Sequence, residues 1–479
     1  MTRSYCTYFD RHYLTRGLAL IESLNEHEQE PFRLYAVCLD EISRIILEKI
    51  APPNVVPIPL HLIEQGDEAL TAARGNRSLV EYYWTLTPTV LLRVFDMHPG
   101  IDTLTYLDAD LYFYSSPDPI FEEFAGHSVL IHGHRFSPSL LPLEVHGKYN
   151  VGLLCFRNDD QGNDVLRWWR DRCIEWCYAR VEDGKFGDQL YLNDWPERFR
   201  GVRVLENVGA GVAPWNHEQY DYGTDARGFT LVDGTPLVFY HFHSLAFVIP
   251  EIVVPAKDTH YPMREEVVRL CVRPYLGSLT RSIAAIRGVL PDFSFGLVNN
   301  NLLAHEHTFV ARKELTEAIR NLGVKHPTFD LGNGWECYLS GQTVYPASKK
   351  IQRSSQNTDP DGATAEELNR TGEEQYLRGE TGEAFRSFTE AVRIDPAFAP
   401  AHNNLGVYHW EKGNPAKALE HLSLAIGANP DDRSAILNTA EILASLGQYD
   451  DARGVYDLYL RNHPVDSEVG RLKAALGGR

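Results

Sequence analysis

Two acidic residues, Asp108 and Asp110, are the side chains in this sequence whose spacing most clearly suggests chemistry. A largely apolar run, LTYL at 104–107, leads into them, and an apolar and aromatic run, LYFY at 111–114, follows them. Bounded runs of this length predict a buried strand that ends in a turn. Two carboxylates in a buried setting are costly without a positive partner. The spacing therefore indicates a site for a hard divalent cation with oxygen ligands.

Strands and helices alternate around this stretch. Strands are predicted at 4–9, 32–39, 55–60, 104–107, 129–132, 151–156 and 236–242, and helices at 13–24, 42–50, 78–95 and 165–178. Pro88 is expected to start or kink the helix at 78–95. Such alternation predicts βαβ units and a largely parallel sheet.

Composition limits the classes of function. The chain has 479 residues, enough for two or three domains, and its formal net charge of −19 argues against nucleic acid as a partner. Its seven scattered cysteines indicate reduced thiols. No signal peptide and no apolar run of membrane-spanning length is recognised. We therefore expect a cytoplasmic protein, either free or peripheral to the inner membrane.

The last part of the sequence repeats with a period of 34 residues. This pattern resembles tetratricopeptide repeats, in which small residues lie where helices cross. We expect a linker at 348–364, three repeats at 365–398, 399–432 and 433–466, and a capping helix that completes the segment 365–479. The positions that share the period are Pro396, Pro430 and Pro464, Gly379, Gly413 and Gly447, Ala384, Ala418 and Ala452, and Gly372, Gly406 and Ala440.

The segment Tyr106-Leu107-Asp108-Ala109-Asp110, with Ser-Ser-Pro after its second apolar run, resembles the metal-binding motif of nucleotide-sugar glycosyltransferases with the GT-A fold. The likeness is to family 8, which includes glycogenin and bacterial lipopolysaccharide galactosyltransferases, and it covers roughly residues 4–250. It implies an α/β GT-A domain with a Rossmann-like mixed sheet at 1–255. We expect residues 256–347 to form a mostly helical extension of that domain.

The resemblance also implies a set of site residues. Asp108, Asp110 and His241 would bind Mn²⁺ or Mg²⁺, with the ribose as the alternative partner of Asp108 and His243 as the alternative third ligand. An imidazole ligand favours Mn²⁺. The implied catalytic residues are Asp188, Gln189 and Asn150. The implied donor-binding residues are Thr7, Tyr8, Asp10, Tyr13, Asp108, Ala109, Asp110 and Asn193.

The sequence departs from the family pattern in three places. The family follows its His-Phe segment with a glycine and Lys-Pro-Trp, whereas here His243 and the segment SLAF at 244–247 follow His241-Phe242. Lys257 or His243 is the candidate substitute for the missing diphosphate-binding Lys. An Arg that the family often carries before its metal strand is absent from 83–88, and Leu190 replaces an acid after the Asp-Gln pair.

These observations predict a metal-dependent hexosyltransferase with a UDP-sugar donor and a glycan or protein acceptor. The resemblance favours retention of configuration. One alternative is a sugar-nucleotidyltransferase, but the glycine-rich loop expected after the first strand is absent, since residues 7–18 contain only Gly17. The other alternative is a repeat scaffold whose transferase domain is inactive.

The repeats are expected to recruit the acceptor or another partner. Asn404 and Asn438 lie 34 residues apart, on one face of successive first helices. They resemble the asparagines that grip a peptide backbone in the repeats of protein O-GlcNAc transferase, because an amide can both donate and accept hydrogen bonds. A dimerisation surface and a solvated groove are the alternatives.

Overall fold

The computed structural model describes residues 2–257, 261, 263–297, 308–315, 329–338, 364–378, 380–395, 398–429, 432–463 and 466–476. The chain divides into two compact units, Met1–Ala347 and Ser348–Arg479. The predicted linker at 348–364 lies outside the described residues except for Thr364.

The first unit begins with alternating strands and helices. Up to residue 205 they are β1 (Arg3–Phe9), α1 (Leu14–His27), β2 (Phe32–Cys38), α2 (Glu41–Ile50), β3 (Val55–Pro59), α3 (Leu60–Glu64), α4 (Glu68–Arg74), α5 (Leu79–Met97), β4 (Thr103–Leu107), β5 (Leu111–Phe113), α6 (Asp118–Phe124), β6 (Val129–Gly133), a 3₁₀ helix (Pro138–His146), β7 (Tyr149–Arg157), α7 (Asp160–Glu175), a 3₁₀ helix (Leu190–Asp194), α8 (Trp195–Arg198) and β8 (Val202–Leu205).

Shorter strands dominate the rest of the first unit. They are β9 (Ala210–Val212), a 3₁₀ helix (His217–Gln219), β10 (Tyr222–Thr224), β11 (Thr230–Val232), β12 (Thr235–Pro236), β13 (Phe239–His241), β14 (Ala246–Ile249), β15 (Ile252–Val254), α9 (Glu265–Val267), a π-helical turn (Val268–Val272), α10 (Arg273–Val289), β16 (Phe309–Arg312), a 3₁₀ helix (Lys313–Leu315), β17 (Phe329–Gly332) and β18 (Trp335–Tyr338).

The main sheet has the strand order β3-β2-β1-β4-β7-β6-β8. Its neighbours pair in parallel except at β7, which runs antiparallel to β4 and β6. Because side chains alternate along a strand, Leu104 and Tyr106 of β4 join a core that contains α5 and α7, whereas Leu107 joins a core that contains α1 and α10. The prediction of a mixed α/β sheet at the start of the chain is confirmed.

The expected, mostly helical extension at 256–347 is wrong at three short strands, and residues 258–260, 262, 298–307, 316–328 and 339–347 lie outside the described residues. Helices occupy Glu265–Val289, but β16, β17 and β18 join β14 and β15 in a five-stranded sheet whose strand pairs are antiparallel. The segments FVAR in β16 and WECY in β18 combine aromatic and β-branched residues and bury most of their side chains. Such short strands become stable through pairing with distant strands, which a local helical periodicity does not report.

The second unit is helical. Its helices are α11 (Ala365–Leu377), α12 (Thr381–Ile394), α13 (Ala399–Glu411), α14 (Pro415–Ala428), α15 (Arg433–Ser445), α16 (Tyr449–Asn462) and α17 (Ser467–Ala475).

Two structural features explain why glycine recurs in the 34-residue period. A Cβ atom on Gly372 would lie 2.5 Å from the Phe388 ring, and one on Gly406 would lie 2.6 Å from Leu422, so these positions allow paired helices to approach. Gly413 and Gly447 end first helices with φ of 71° and 79°, a conformation that favours glycine. Gly379 and the three periodic prolines lie outside the described residues. The predicted repeat architecture is confirmed.

Across the described ranges, no helix is both long enough and apolar enough to traverse a lipid bilayer.

The packing of α1 against β1 predicts that replacing a helical glycine with alanine will destabilise the protein, the opposite of the usual effect. A Cβ on Gly17 would lie 2.5 Å from the ring of buried Phe9, whereas Gly288 in α10 has open space around it. We expect Gly17→Ala to lower the free energy of unfolding by about 1–3 kcal/mol, since overpacking outweighs helix propensity. Gly288→Ala, the matched control, should raise it by up to ~1 kcal/mol.

Urea unfolding followed by tryptophan fluorescence measures this difference, because seven of the eight tryptophans belong to residues 1–347. A Gly17→Ala protein as stable as Gly288→Ala would contradict the described contact between α1 and β1.

Candidate metal centre

The candidate site lies at the topological switch point of the main sheet, between β1 and β4. The chain leaves β1 for β2 and β3 on one side and returns to β4 on the other side of β1. Ligands of open α/β sheets bind outside the carboxyl ends of the strands at such a switch point. Asp10 follows the end of β1 and Asp108 follows the end of β4, so both lie at this edge.

Main-chain hydrogen bonds hold Asp108 and Asp110 between two sheets. The N–H of Asp108 donates to the carbonyl of Gly152, which extends the pairing of β4 with β7, at 2.8 Å. The N–H of Phe242 donates to the carbonyl of Asp110 at 2.9 Å, which ties this residue to the small sheet β5-β13-β9. The two carboxylates therefore belong to different sheets although only Ala109, which is buried, separates them.

Strand pairing brings His241 to the acids. It ends β13 and lies opposite Leu111 in the antiparallel register of β13 and β5. Its Nε2 atom is 3.2 Å from Asp110 Oδ1 and 3.7 Å from Asp108 Oδ2. The three potential ligand atoms all lie within 4.8 Å of one another, and within the described ranges no other trio of His, Cys, Asp or Glu side chains converges in this way.

The three side chains of this trio shift one another's pKa. Burial alone would raise the pKa of Asp110, but the charge and hydrogen bond of His241 outweigh it and bring the pKa to about 2. Burial would also lower the pKa of His241, and here the acids, chiefly Asp110, reverse the direction and raise it. The pKa of Asp108 is raised by burial and by the charge of Asp110. A bound cation could take the place of the proton on His241.

The fit of these residues to a divalent metal is chemical as well as geometric. Two carboxylates and one imidazole form a donor set that suits Mn²⁺. The side chain of Asp108 is 32% exposed, against 11% for Asp110 and 4% for His241, so the trio opens to solvent at Asp108. The Nδ1 atom of His241 is buried and makes no hydrogen bond, which leaves Nε2 as the nitrogen that faces the acids.

Gly152 packs directly against His241, and the side chain of Asn150 lies next to Gly152. A Cβ on Gly152 would lie 2.8 Å from Nδ1 of His241 and 2.6 Å from Oδ1 of Asn150. The Asn150 Oδ1 atom accepts from the N–H of Gly152 at 2.8 Å, and its Nδ2 atom lies 3.1 Å from Nε2 of His134. Trp215 closes the other side of His241 with a ring centroid distance of 5.2 Å. The Asn-x-Gly spacing thus holds one amide beside the metal trio.

Asp188 is a buried acid without a basic partner among its described contacts. Its carbonyl accepts from Nε1 of Trp169 at 2.8 Å, and its Oδ2 atom lies within hydrogen-bond distance of the hydroxyl of Thr87, at 3.1 Å. Burial raises the pKa of Asp188 to about 7, with a further contribution from the negative charge of Asp108. Asp188 is therefore close enough to the trio to respond to its charge and carries a proton over much of the acidic range.

Gln189 and Asn193 make structural contacts. Nε2 of Gln189 donates to the carbonyl of His146 at 2.9 Å, and Oδ1 of Asn193 accepts from the N–H of Lys148 at 2.8 Å. Both side chains thereby fasten the residues that precede β7. These hydrogen bonds place neither side chain in the metal trio.

The predicted nucleotide-binding residues divide into buried and exposed groups. Thr7 is buried, and the hydroxyl of Tyr8 lies 2.9 Å from the carbonyl of Tyr83 and 3.0 Å from Oγ1 of Thr87, inside the domain. Asp10 accepts hydrogen bonds from the N–H groups of His12 and Tyr13 at 2.9 and 3.2 Å, which shapes the turn before α1. Tyr13 is 43% exposed.

The two candidate substitutes for the missing Lys lie beside the site. His243 is exposed, its ring centroid is 6.1 Å from that of His241, and it lies outside the metal trio. The N–H of Lys257 donates to the carbonyl of Ser244 at 3.0 Å, so its main chain adjoins the turn that follows His241.

Sequence reasoning missed Arg16. This buried guanidinium donates to the carbonyls of Leu245 at 2.8 Å and His12 at 3.2 Å. It lies 4.6 Å from the centroid of the Tyr13 ring. Its charge also lowers the pKa of Asp110, after the larger effects of His241 and His243. In the sequence Arg16 is one charged residue in an amphipathic helix, and its spacing of three from Tyr13 was the available signal.

Asn404 and Asn438 each bond side chains of the preceding repeat. Nδ2 of Asn404 donates to Oδ1 of Asn369 and Oε1 of Glu373, both at 3.0 Å, and Nδ2 of Asn438 donates to Oδ1 of Asn403 at 2.8 Å. These bonds join first helices of neighbouring repeats, and the contact in the first repeat is Asn369. The amide donors assigned to a bound peptide are thus engaged within the array.

Comparisons with known proteins identify the repeats of the second unit. Two tetratricopeptide repeat family models match residues 370–433 and 409–476. Among solved structures, the first repeat domain of Spaghetti (RPAP3) bound to an HSP90 peptide is 19% identical, with 24% of this chain and 93% of that chain covered and a TM-score of 0.23. The first repeat domain of human RPAP3 is also 19% identical, with 24% and 90% covered and a TM-score of 0.22.

Two curated relatives come from Bacillus subtilis strain 168. The uncharacterized protein YfnD is 31% identical over 310 residues, which are 64% of this chain and 98% of YfnD. The uncharacterized protein YfnF is 34% identical over 255 residues, which are 52% of this chain and 83% of YfnF. The chain therefore belongs to the family that includes YfnD and YfnF, and its second unit is built from tetratricopeptide repeats.

Proposed function

We propose that the first unit is a metal-dependent glycosyltransferase of the GT-A fold, similar to family 8, that transfers a hexose from a UDP-sugar to a glycan or protein acceptor. The observation that carries this proposal is the convergence of Asp108, Asp110 and His241 at the switch point of the main sheet. A site that gathers two acids and an imidazole at that edge suits a cation bound together with a diphosphate.

The metal trio would hold Mn²⁺ or Mg²⁺. Such an ion supplies charge that stabilises the leaving nucleoside diphosphate. Asp110 and His241 are the more buried ligands and are held by the pairing of β5 with β13. Asp108 is the most exposed of the three and therefore the one nearest to an entering donor.

The exposed ring of Tyr13 would bind the base. It follows the turn shaped by Asp10, and the guanidinium of Arg16 lies against it. An aromatic ring supported in this way presents a rigid face for stacking on uracil. Tyr8 and Thr7 support this role only indirectly, because they are oriented into the domain.

Asp188 and Asn150 would bind the donor sugar. Asp188 lies within electrostatic reach of Asp108, and Asn150 packs against the Gly152 segment beside His241. A carboxyl and an amide can both accept from and donate to sugar hydroxyls. Hydrogen bonds from both side chains to the sugar hydroxyls would hold the anomeric carbon next to the metal trio.

Tetratricopeptide repeats suggest protein partners, and we propose that the second unit recruits the acceptor or a partner of the enzyme. Because the Asn404 and Asn438 donors already bond neighbouring repeats, their role is to hold the repeats in register. Acceptor recognition would then fall to other side chains of the array.

Mn²⁺-dependent nucleotide binding tests the proposed function. We expect UDP with Mn²⁺ to raise the unfolding temperature of the full chain by several degrees, because a ligand at one hundred times its Kd stabilises by about 2.7 kcal/mol. Asp110→Asn should abolish the shift, since it removes one ligand charge from the trio. Asp171→Asn, at an exposed acid of α7, is the matched control and should keep the shift.

A thermal-shift panel of UDP, GDP, dTDP and CMP, each with and without Mn²⁺, provides the measurement. The glycosyltransferase assignment would be rejected if none of these nucleotides stabilised the wild-type chain in a metal-dependent manner.

Replacing Asp188 should raise the free energy of unfolding and lower the activity. The pKa of Asp188 is about 7 in the folded chain, against ~3.9 when unfolded, so folded protein binds the extra proton between these values. Stability therefore falls as pH rises through that window, and the full cost is present above pH ~7. Asp188→Asn should raise the free energy of unfolding by roughly 2–4 kcal/mol at pH ~8 and by little at pH ~4.

Urea unfolding at the two pH values and UDP release from UDP-sugars check this expectation together. The same substitution should reduce donor turnover, whereas Asp171→Asn should change neither property. An Asp188→Asn protein whose stability followed the wild-type pH dependence would show that Asp188 is not the buried, protonated acid described above.

A further inference from the structure

A proline within α5 creates an unusual environment for Thr87. Pro88 has no N–H, so the carbonyl of Trp84 lacks its normal helical donor. The hydroxyl of Thr87 lies 3.1 Å from this carbonyl and also 3.1 Å from Oδ2 of Asp188. Thr87 is itself fully buried. One hydroxyl thus lies between a helix carbonyl and a carboxyl of the candidate site.

Tyr8 anchors the same hydroxyl from β1. Its own hydroxyl lies 3.0 Å from Oγ1 of Thr87 and 2.9 Å from the carbonyl of Tyr83. Trp169 holds the backbone of Asp188 from α7 through its indole N–H. Thr87 of α5 thus contacts the carboxyl directly, Tyr8 of β1 contacts Thr87, and Trp169 of α7 fixes the main chain of Asp188. Elements that belong to the rigid sheet and its covering helices position a side chain more accurately than a loop does.

Counting protons shows which state of Asp188 this network fits. A protonated carboxyl can donate to the oxygen of Thr87, Tyr8 can donate to the same oxygen, and Thr87 can donate to the Trp84 carbonyl. Every donor then has one acceptor. An ionised carboxylate would take the Thr87 proton and leave the Trp84 carbonyl without a donor, which is costly in a buried site. The geometry favours a neutral carboxyl with Oδ2 held in place.

We propose that Thr87, anchored by Tyr8, is a positioning residue that orients the carboxyl of Asp188 toward the donor sugar. With Oδ2 held by Thr87, Oδ1 is the oxygen available to a sugar hydroxyl. This inference rests on the proposed glycosyltransferase function. It extends that function to Tyr8, which the resemblance assigned to donor binding, and to Thr87, which had no assigned role.

Thr87→Val tests the role because valine keeps the shape of threonine and removes its hydroxyl. We expect the kcat for UDP release from UDP-glucose, UDP-galactose or UDP-N-acetylglucosamine, whichever the wild type hydrolyses fastest, to fall by about 10-fold or more, in line with supporting residues of other sites. The KM for the donor and the affinity for Mn²⁺ should stay within about twofold, since the metal trio is untouched.

Two further variants separate positioning from folding. Thr87→Ser retains the hydroxyl and should recover kcat to within about threefold of wild type. Thr85→Val is the matched control, because Thr85 is equally buried on α5 but its hydroxyl donates to the carbonyl of Glu81 within the helix. It should leave kcat unchanged. If Thr87→Val does not fold, Tyr8→Phe tests the same network from β1 and should lower kcat while sparing Mn²⁺ affinity.

The outcomes distinguish this inference from the proposed function. A wild-type chain without Mn²⁺-dependent UDP binding would overturn the proposed function, and the inference with it. A wild-type chain that binds UDP while Thr87→Val and Tyr8→Phe keep the kcat of Thr85→Val would overturn the inference alone. Loss of kcat in Thr87→Ser equal to that in Thr87→Val would also overturn it, because the hydroxyl would then not be the cause.

Discussion

Repulsion between the carboxylates of Asp108 and Asp110 is the constraint on which the rest of the site depends. Two negative charges about 4 Å apart repel by roughly 4 kcal/mol at an effective dielectric constant near 20. The imidazole of His241, 3.2 Å from Asp110, offsets part of this repulsion through its proton. Relief of this repulsion therefore requires a positive charge among the three side chains or a proton on Asp108, whose pKa is raised. That requirement is what makes the trio a candidate cation site rather than an ordinary acidic turn.

The fold meets this requirement by joining two sheets at one point. The main sheet delivers Asp108 at the end of β4, and the small sheet delivers His241 at the end of β13. The short segment between β4 and β5 crosses from one sheet to the other and carries both acids. Because hydrogen bonds fix each strand end, sheet pairing holds the main chain of both acids at this junction.

Local patterns in the sequence predicted the features that depend on near neighbours. The strands and helices of the first sheet follow from alternating and helical apolar spacing, and the repeats follow from a 34-residue period whose glycines meet Phe388 and Leu422. The prediction was wrong at β16, β17 and β18, since these short strands depend on pairing with β14 and β15. Arg16 and Thr87 were missed for the same reason, because their partners Leu245 and Asp188 are distant in sequence.

The sequence by itself determined that two acids follow a buried strand and that a histidine segment follows a later one. It could not choose between His241 and His243, because residues two apart on a strand share the same face. The tertiary structure made that choice: β13 ends at His241, and the chain turns at Ser244 with φ of 59°, which leaves His243 exposed. Only the pairing of β13 with β5 placed His241 against Asp110, and pairing between distant strands is a property of the folded chain, not of any local stretch.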